Sequence, residues 1–229
     1  VLKAAKNNSV KKVINVSSAC VYGQVNGQSV ESDMLRPNWD YGVSKLAAEK
    51  YGCIYNDYKG LPVVNLRYSI VYGEREWYRR ALPIFLKRII QNEPPVIFGN
   101  GDQERDFIYV KDVVDINIKC LENDSINGEI FNVGSGTKTS IKELAYSVCK
   151  LNGNTMPLFE DTKEGEFSNL IPGKKRNSSE LQTMFLNIEK ANNLLDWHPK
   201  TSLDNGLLSE YEWAKKNIDR WEKIFSTQW

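Results

Sequence analysis

The feature that most constrains the fold is a strand–helix–strand order near the start of the chain. Val13–Val16 is a short apolar run, and Leu61–Arg67 is a second one after a segment of helical character. Short apolar runs that do not alternate with polar residues are typical of strands covered on both faces. A helix between two such strands fits a βαβ unit, so the sequence predicts a parallel sheet.

The helix of this unit is predicted from near Asp40 to near Tyr58. Its middle is rich in strong helix formers such as Leu, Ala, Glu and Lys. Gly60 provides a stop signal at the end, and either Asn38 or Asp40 could cap the start.

Two hydroxyl groups and a Tyr–Lys pair are the candidate chemistry of this region. Tyr41 and Lys45 are four residues apart, so on a helix they lie on one face about one turn from each other. An ammonium group close to a phenol favours the phenolate, which can act as a general base. Such pairs also occur by chance in many helices. The preceding strand ends in Ser17 and Ser18, at the edge where open α/β sheets bind ligands.

Composition excludes several classes of function. The 30 Lys and Arg residues balance 29 Asp and Glu residues, so the charge does not indicate a nucleic-acid or anionic membrane surface. No apolar stretch is long enough to span a bilayer, and no signal peptide is recognised. The four cysteines are scattered and the chain has one histidine, so we expect no metal site and reduced thiols in a cytoplasmic protein.

The rest of the chain alternates between short strands and helices, without internal repeats. Ser140 and Glu143 form a capping-box pattern for a helix ending near Leu151. Asp112 is predicted to cap a helix that ends near Leu121. Further helices are predicted over Ala81–Gln91 and Leu203–Ile224, and further strands over Phe107–Val110, Glu129–Val133 and part of Pro94–Gly101.

Several motifs, in order and in register, resemble the extended short-chain dehydrogenase/reductase family, the NAD-dependent nucleotide-sugar epimerases and dehydratases. The resemblance covers most of the chain and is closest to proteins of the UDP-glucose 4-epimerase type. The motifs are Ser17–Gly23, Tyr41–Lys45, Leu66–Gly73, Arg105–Val113, Phe131–Gly136 and Asp196–Leu203.

The resemblance implies roles for individual residues. Tyr41 corresponds to the base that takes a proton from a sugar hydroxyl, and Lys45 to the residue that activates it and holds the nicotinamide ribose. Ser18, favoured over Ser17 by the order of the motif, corresponds to the hydroxyl that bridges substrate and tyrosine. Tyr68 is assigned to the cofactor site. Two arginines correspond to those that bind the nucleotide diphosphate through bidentate hydrogen bonds: Arg105 and Arg176. Judged without the family, Arg105 would be taken as structural.

The sequence also departs from the family pattern. Dehydratases of this family carry an Asp–Glu pair directly after the Ser or Thr, where this chain has Ala19 and Cys20. Neither can act as the additional acid and base that elimination needs, so epimerisation or carbonyl reduction is favoured. Ser69 and Ile70 occupy the position where relatives often have an asparagine that contacts the nucleotide sugar. Arg176 is retained, but the aspartate of its motif is absent.

The implied fold class is α/β: the C-terminal portion of a doubly wound parallel (Rossmann) sheet with a smaller α/β substrate-binding lobe. The Gly-rich turn that holds a dinucleotide pyrophosphate is not found in these residues, so we expect a cofactor-binding portion to precede them. Residues 1–72 and 104–136 are assigned to the Rossmann part. Residues 73–103 and 137–229 are assigned mainly to the substrate lobe.

The leading functional hypothesis is therefore NAD-dependent epimerisation of a nucleotide sugar, a UDP-hexose, through a transient 4-keto sugar with Tyr41 as the base. One alternative is an NAD(P)-dependent nucleotide-sugar reductase. Another is a sugar-nucleotide-binding fragment without catalysis. Relatives pair through two helices, one of them the helix of Tyr41, so a homodimer is expected.

Overall fold

The computed structural model describes residues 1–25, 27–76, 80–153, 155–176 and 181–220. They form two compact units. Among these described residues, the first unit comprises those of 1–71, 105–138 and 183–200, and the second comprises those of 72–104, 139–182 and 201–220. From the sequence, residues 137–229 are assigned mainly to the substrate lobe. The structure instead groups residues 183–200 with the first unit.

The strands and helices of the described residues are numbered in chain order. The strands are β1 (Val13–Ser18), β2 (Val63–Tyr68), β3 (Ile70–Tyr72), β4 (Val96–Phe98), β5 (Glu104–Arg105), β6 (Phe107–Tyr109), β7 (Ile130–Val133), β8 (Thr139–Ser140), β9 (Leu158–Glu160) and β10 (Thr183–Met184). The helices are α1 (Leu2–Asn7), α2 (Asp40–Lys59), α3 (Ala81–Ile90), α4 (Val110–Glu122), α5 (Ile141–Lys150), α6 (Glu189–Leu195) and α7 (Leu203–Lys216). None of them is long and apolar enough to cross a bilayer.

The first unit is built on the predicted parallel sheet. Its strands are ordered β1-β2-β7, and both pairs are parallel. Val13 pairs with Val63 and Ser18 pairs with Tyr68, so the carboxyl ends of β1 and β2 lie side by side. The βαβ unit predicted from the sequence is present.

Helix α2 has nearly the predicted bounds but a different start. Gly60 ends it in the left-handed conformation, with φ of 61°, as its position after the last turn requires. Neither Asn38 nor Asp40 caps the helix, and that prediction is wrong. Trp39 occupies the N-cap position without a capping side chain, because the helix begins one residue later than an Asn38 cap requires and includes Asp40.

On the other side of the sheet, β2 and β7 pack against helices α4 and α6 through apolar side chains. Trp197 is 1% exposed in this core. The members of the cluster include Val64, Leu66, Ile108, Val113, Ile116, Cys120, Phe131 and Leu195. Helix α4 begins at Val110, so Asp112 lies inside its first turn and is not the predicted N-cap. Its carboxylate instead accepts a hydrogen bond from the Lys200 amide at 3.0 Å.

The second unit contains helices α3, α5 and α7 and the parallel pair β4–β9. The capping box predicted at the start of α5 is confirmed: the Ser140 hydroxyl accepts from the Glu143 amide, and the Glu143 carboxylate accepts from the Ser140 amide. Helix α7 starts at Leu203 as predicted, and its predicted end at Ile224 lies outside the described residues.

Two carboxyl groups are buried together in this second unit. Glu210 of α7 is fully buried, and the Glu76 side chain, in the segment after β3, is 6% exposed. None of their four oxygens has a hydrogen-bond donor with good geometry among the described residues. Burial raises the pKa of Glu76 to about 8, although Arg80, with a nitrogen 3.7 Å away, opposes the shift. Burial and the neighbouring Glu76 charge raise the pKa of Glu210 well above its usual value.

Candidate active site

Tyr41 lies in the first turn of helix α2 and is 51% exposed. The next residue, Gly42, explains its position. A Cβ atom there would lie 2.6 Å from the Cys20 carbonyl oxygen and 2.9 Å from Pro37 Cβ, so only glycine lets the helix approach so closely. Gly42 therefore sets Tyr41 beside the turn that follows strand β1.

The structure brings Lys45 and Tyr41 together, as the spacing predicts. The Lys45 Nζ atom is 5.5 Å from the centre of the Tyr41 ring, within the range of a cation–π contact. The same ammonium donates a hydrogen bond to the Val16 carbonyl of strand β1 at 2.9 Å. Lys45 thus joins the tyrosine to the end of the strand.

The two serines at the end of β1 have different partners. The Ser18 Oγ accepts from the Cys20 amide at 3.2 Å and starts a short 3₁₀ turn over Ala19–Val21. As an acceptor in this bond, the hydroxyl keeps its own proton to donate elsewhere. The Ser17 hydroxyl, by contrast, donates to the buried Glu49 carboxylate at 2.9 Å. The Ser17 hydroxyl is therefore engaged with Glu49, and the role of Ser18 as the reactive hydroxyl stays a prediction.

Tyr68 is paired with Ser18 through the backbone, but its side chain packs against the apolar core on the α4 side of the sheet. Asn117 of α4 donates to its hydroxyl at 2.6 Å. Burial raises the pKa of Tyr68 despite this bond. Its assignment to the cofactor site stays a prediction.

Arg105 directly precedes a buried carboxylate whose importance the sequence did not reveal. Asp106 is fully buried, and it accepts from the Ser135 amide at 2.6 Å and from the Ser135 hydroxyl at 2.7 Å. A Cβ on Gly134 would overlap its carboxylate. Burial raises the pKa of Asp106 to about 6, against the effect of these bonds. The turn Gly134–Gly136 is thus organised around a buried acid.

Arg176 belongs to the second unit, whereas Ser18, Tyr41, Lys45, Tyr68 and Arg105 belong to the first. Its Nη1 donates to the Thr162 carbonyl at 2.7 Å, and its guanidinium passes over Gly99, at the end of β4. It borders a cavity of about 160 Å³ together with Lys174 and Lys175. Apolar side chains of α3 and β4 line the same cavity: Ile84, Phe85, Val96 and Phe98.

Beneath the Tyr–Lys pair lies a buried ion pair that sequence analysis missed. Arg67 of β2 donates to the two carboxylate oxygens of Glu49 of α2 at 2.7 and 3.0 Å, and both side chains are at most 2% exposed. Burial disfavours the guanidinium charge, but hydrogen bonds to Glu49 and Tyr22 outweigh it and raise the pKa of Arg67. Asn65 and Arg67 are polar and lie two residues apart in an otherwise apolar strand, so they share one face of it. This pattern could have indicated a polar face on β2.

A known protein family matches this chain in sequence. The sequence profile described as the NAD dependent epimerase/dehydratase family matches residues 1–134. The chain belongs to this family. The prediction from the motifs is thereby confirmed.

The relatives include more than one activity. An uncharacterised UDP-glucose epimerase of Bacillus subtilis is 32% identical over 91% of this chain and 62% of its own length. The dTDP-D-glucose 4,6-dehydratase of Homo sapiens is 30% identical over 97% of this chain and 62% of its own length. The chain therefore spans less than two thirds of the length of these relatives.

A solved structure shows the same fold. The UDP-glucuronic acid 4-epimerase of Bacillus cereus, in complex with UDP-glucuronic acid and NAD, is 31% identical. It superimposes with a TM-score of 0.83 over 94% of this chain and 65% of its own. The α/β Rossmann-type fold predicted from the sequence is confirmed.

Proposed function

We propose that this chain carries the catalytic and substrate-binding portion of an NAD-dependent nucleotide-sugar 4-epimerase that acts on a UDP-hexose. The observation that carries the proposal is the Tyr41–Lys45 pair, with Lys45 bonded to strand β1 and the Ser18 hydroxyl at the end of that strand. Relatives described as UDP-glucose and UDP-glucuronate epimerases support it. The reaction passes through a transient 4-keto sugar.

Each residue has a defined part in this reaction. The Tyr41 oxygen takes the proton of the sugar 4-hydroxyl and later returns it. The Lys45 ammonium stabilises negative charge on the phenolate. Ser18 donates a hydrogen bond to the ketone oxygen and accepts one from the alcohol, since a single hydroxyl can do both.

The same residues fit the nicotinamide end of a dinucleotide. Lys45 provides up to three N–H donors, of which the Val16 carbonyl takes one in this structure, so donors remain for ribose hydroxyls. Tyr41 is exposed next to it. When bound, NAD supplies the hydride acceptor for oxidation of the sugar and the hydride donor for its reduction. Elimination is disfavoured because Ala19 and Cys20 form the turn after Ser18 and offer no carboxyl group.

The nucleotide end of the substrate is assigned to the second unit. The cavity bordered by Arg176 joins an apolar lining to three cationic side chains, which suits a pyrimidine base attached to a diphosphate. Arg105 is proposed as a second phosphate ligand. A homodimer is proposed through helix α2, whose exposed face carries Val43, Tyr51, Ile54 and Tyr58. The cytoplasmic location stays a prediction.

The deciding experiment measures interconversion of UDP-glucose and UDP-galactose by the full-length protein and its Tyr41→Phe variant. The variant should lose roughly 100-fold or more in kcat, because the base is removed. Tyr55→Phe, a half-buried residue of the same helix that is not among the residues of the proposed dimer face, is the matched control and should keep its activity. Near-normal turnover by Tyr41→Phe would refute the assignment. Stoichiometric consumption of NADPH with a keto sugar would indicate the reductase instead.

A further inference from the structure

The layer between helix α2 and the sheet is polar, which is unusual for a helix on a parallel sheet. The buried residues of α2 are Gly42, Glu49 and Gly52. The facing strand β2 contributes Asn65 and Arg67, both at most 2% exposed. The helix that carries Tyr41 and Lys45 thus contacts the sheet largely through hydrogen bonds, with Leu46 as its apolar contact to the cluster around Ala19 and Val21.

Glu49 is the central group of this layer. It lies one helical turn beyond Lys45 and two beyond Tyr41. Its carboxylate accepts two hydrogen bonds from Arg67 and one from the Ser17 hydroxyl. A bidentate pair of planar groups is restrictive in both distance and orientation. It therefore fixes the rotation of α2 about its axis and its position along strands β1 and β2.

The network continues toward the other flank of the site. Arg67 Nη1 donates to the Tyr22 hydroxyl at 2.8 Å, and that hydroxyl donates to Asn132 Oδ1 of β7 at 2.6 Å. Tyr22 ends the 3₁₀ turn that starts at Ser18. Burial raises the pKa of Tyr22 to about 12, so the phenol stays protonated as a donor to Asn132. The segments that carry Ser18, Tyr41 and Lys45 are joined through one guanidinium.

We propose that Glu49 and Arg67 are positioning residues for the epimerase reaction: their ion pair holds the Tyr41 helix in register with the Ser18 strand. The inference rests on the proposed function. Stability alone does not explain the pair, because replacing a buried ion pair by apolar groups is often neutral or stabilising. What an apolar replacement lacks is the orientation that a bidentate bond imposes.

The first test separates positioning from stability with single and double variants of the full-length protein. Glu49→Gln should lower both the urea midpoint and kcat, because it leaves the guanidinium buried with a neutral partner. The double variant Glu49→Gln with Arg67→Met removes both charges. It should recover most of the stability while kcat stays roughly 10- to 100-fold below wild type, as expected for small errors in catalytic geometry. Recovery of both properties would overturn the proposal.

A milder variant keeps the proposal testable if these proteins fold poorly. Ser17→Ala removes only the bond between Glu49 and strand β1, and it should lower kcat several-fold with a nearly unchanged KM for the UDP-sugar. Val64→Ala is the matched control: this fully buried residue of the same strand belongs to the apolar cluster on the α4 side of the sheet and not to the Glu49 network. It should lower stability but leave kcat per folded molecule unchanged.

The pH profile provides a readout that a purely structural role would not alter. Displacement of the helix that carries Tyr41 and Lys45 relative to Ser18 should shift the acid limb of kcat in Ser17→Ala and in the double variant, whereas the limb in Val64→Ala should match wild type. Unchanged kcat and pH profile in Ser17→Ala refute the positioning role. Absence of epimerase activity in the wild type instead refutes the proposed function itself, so the two failures are distinguishable.

Discussion

The buried carboxyl pair of Glu76 and Glu210 predicts that the second unit loses stability as the pH rises. The unfolded state releases the Glu76 proton near the ordinary pKa of 4.5, whereas the folded state holds it to about pH 8. Between these values the folded state binds more protons, so the free energy of unfolding falls with increasing pH. The contribution is fully present below pH 4.5 and is lost as the pH rises through 8.

The expected size follows from the two pKa values of Glu76. At 1.36 kcal/mol for each pH unit, the change from 4.5 to about 8 corresponds to a loss of about 4–5 kcal/mol in full. Roughly 3 kcal/mol of this is lost between pH 5 and pH 8. Glu210 acts in the same direction. The nearby charges are Arg80, which favours ionisation of Glu76, and Glu74, which opposes ionisation of Glu210.

The assay compares wild type with Glu76→Gln by hydrogen exchange of peptides from helix α7 at pH 5, 6, 7 and 8. Comparison at each pH removes the intrinsic pH dependence of exchange. Wild-type protection should fall relative to the variant by roughly 100-fold across this range, equivalent to about 3 kcal/mol. Glu212→Gln, an exposed residue of the same helix, is the control and should parallel wild type. If the protection of Glu76→Gln falls with pH as much as that of wild type, the buried Glu76 proton is excluded as the cause of the pH dependence.

Three further predictions concern local structure. Gly206→Ala should destabilise the second unit by about 1–3 kcal/mol in urea unfolding, because its Cβ would overlap the Tyr72 hydroxyl, and Tyr72→Phe in the same chain should recover part of the loss. Burial raises the pKa of Asp106 from its ordinary 3.8 to about 6 in the folded state. The stability that this group contributes below pH 3.8 is therefore lost as the pH rises through 6. Asp106→Asn should abolish this part of the pH dependence of the urea midpoint. Ser140→Ala should cost about 1 kcal/mol in urea unfolding by removing the cap of α5, and an unchanged midpoint would contradict that reading.

The sequence predicted helices and strands correctly where the signal lies in residues that are neighbours in the chain. The apolar runs of β1 and β2 and the capping box of α5 depend on neighbouring residues, and the structure has them where expected. Asp112 shows the limit of such signals. It is a good capping residue, but the helix starts at Val110, and its carboxylate instead accepts a hydrogen bond from the Lys200 amide, a partner that the local sequence does not reveal.

Contacts between distant residues could not be predicted from local patterns. Nothing near Glu49 indicates that its partner is Arg67 of the next strand, since a charged residue on a helix is normally exposed. The alternation of Asn65 and Arg67 in β2 indicates a polar face but not the group that meets it. Glu76 and Glu210 are even further apart in the chain, and only the packing of α7 brings them together.

The polar layer between helix α2 and the sheet affects the heat-capacity change of local unfolding. Exposure of apolar surface raises the heat capacity, whereas exposure of polar surface lowers it. Local release of α2 exposes Glu49, Asn65 and Arg67 together with the apolar contact of Leu46, so it should show a small heat-capacity change. Release of α4 uncovers the cluster around Ile116 and Phe131 and should show a large positive one. The contact of α4 with the sheet therefore weakens on cooling. The contact of α2, the helix that carries Tyr41, with the same sheet is less sensitive to temperature.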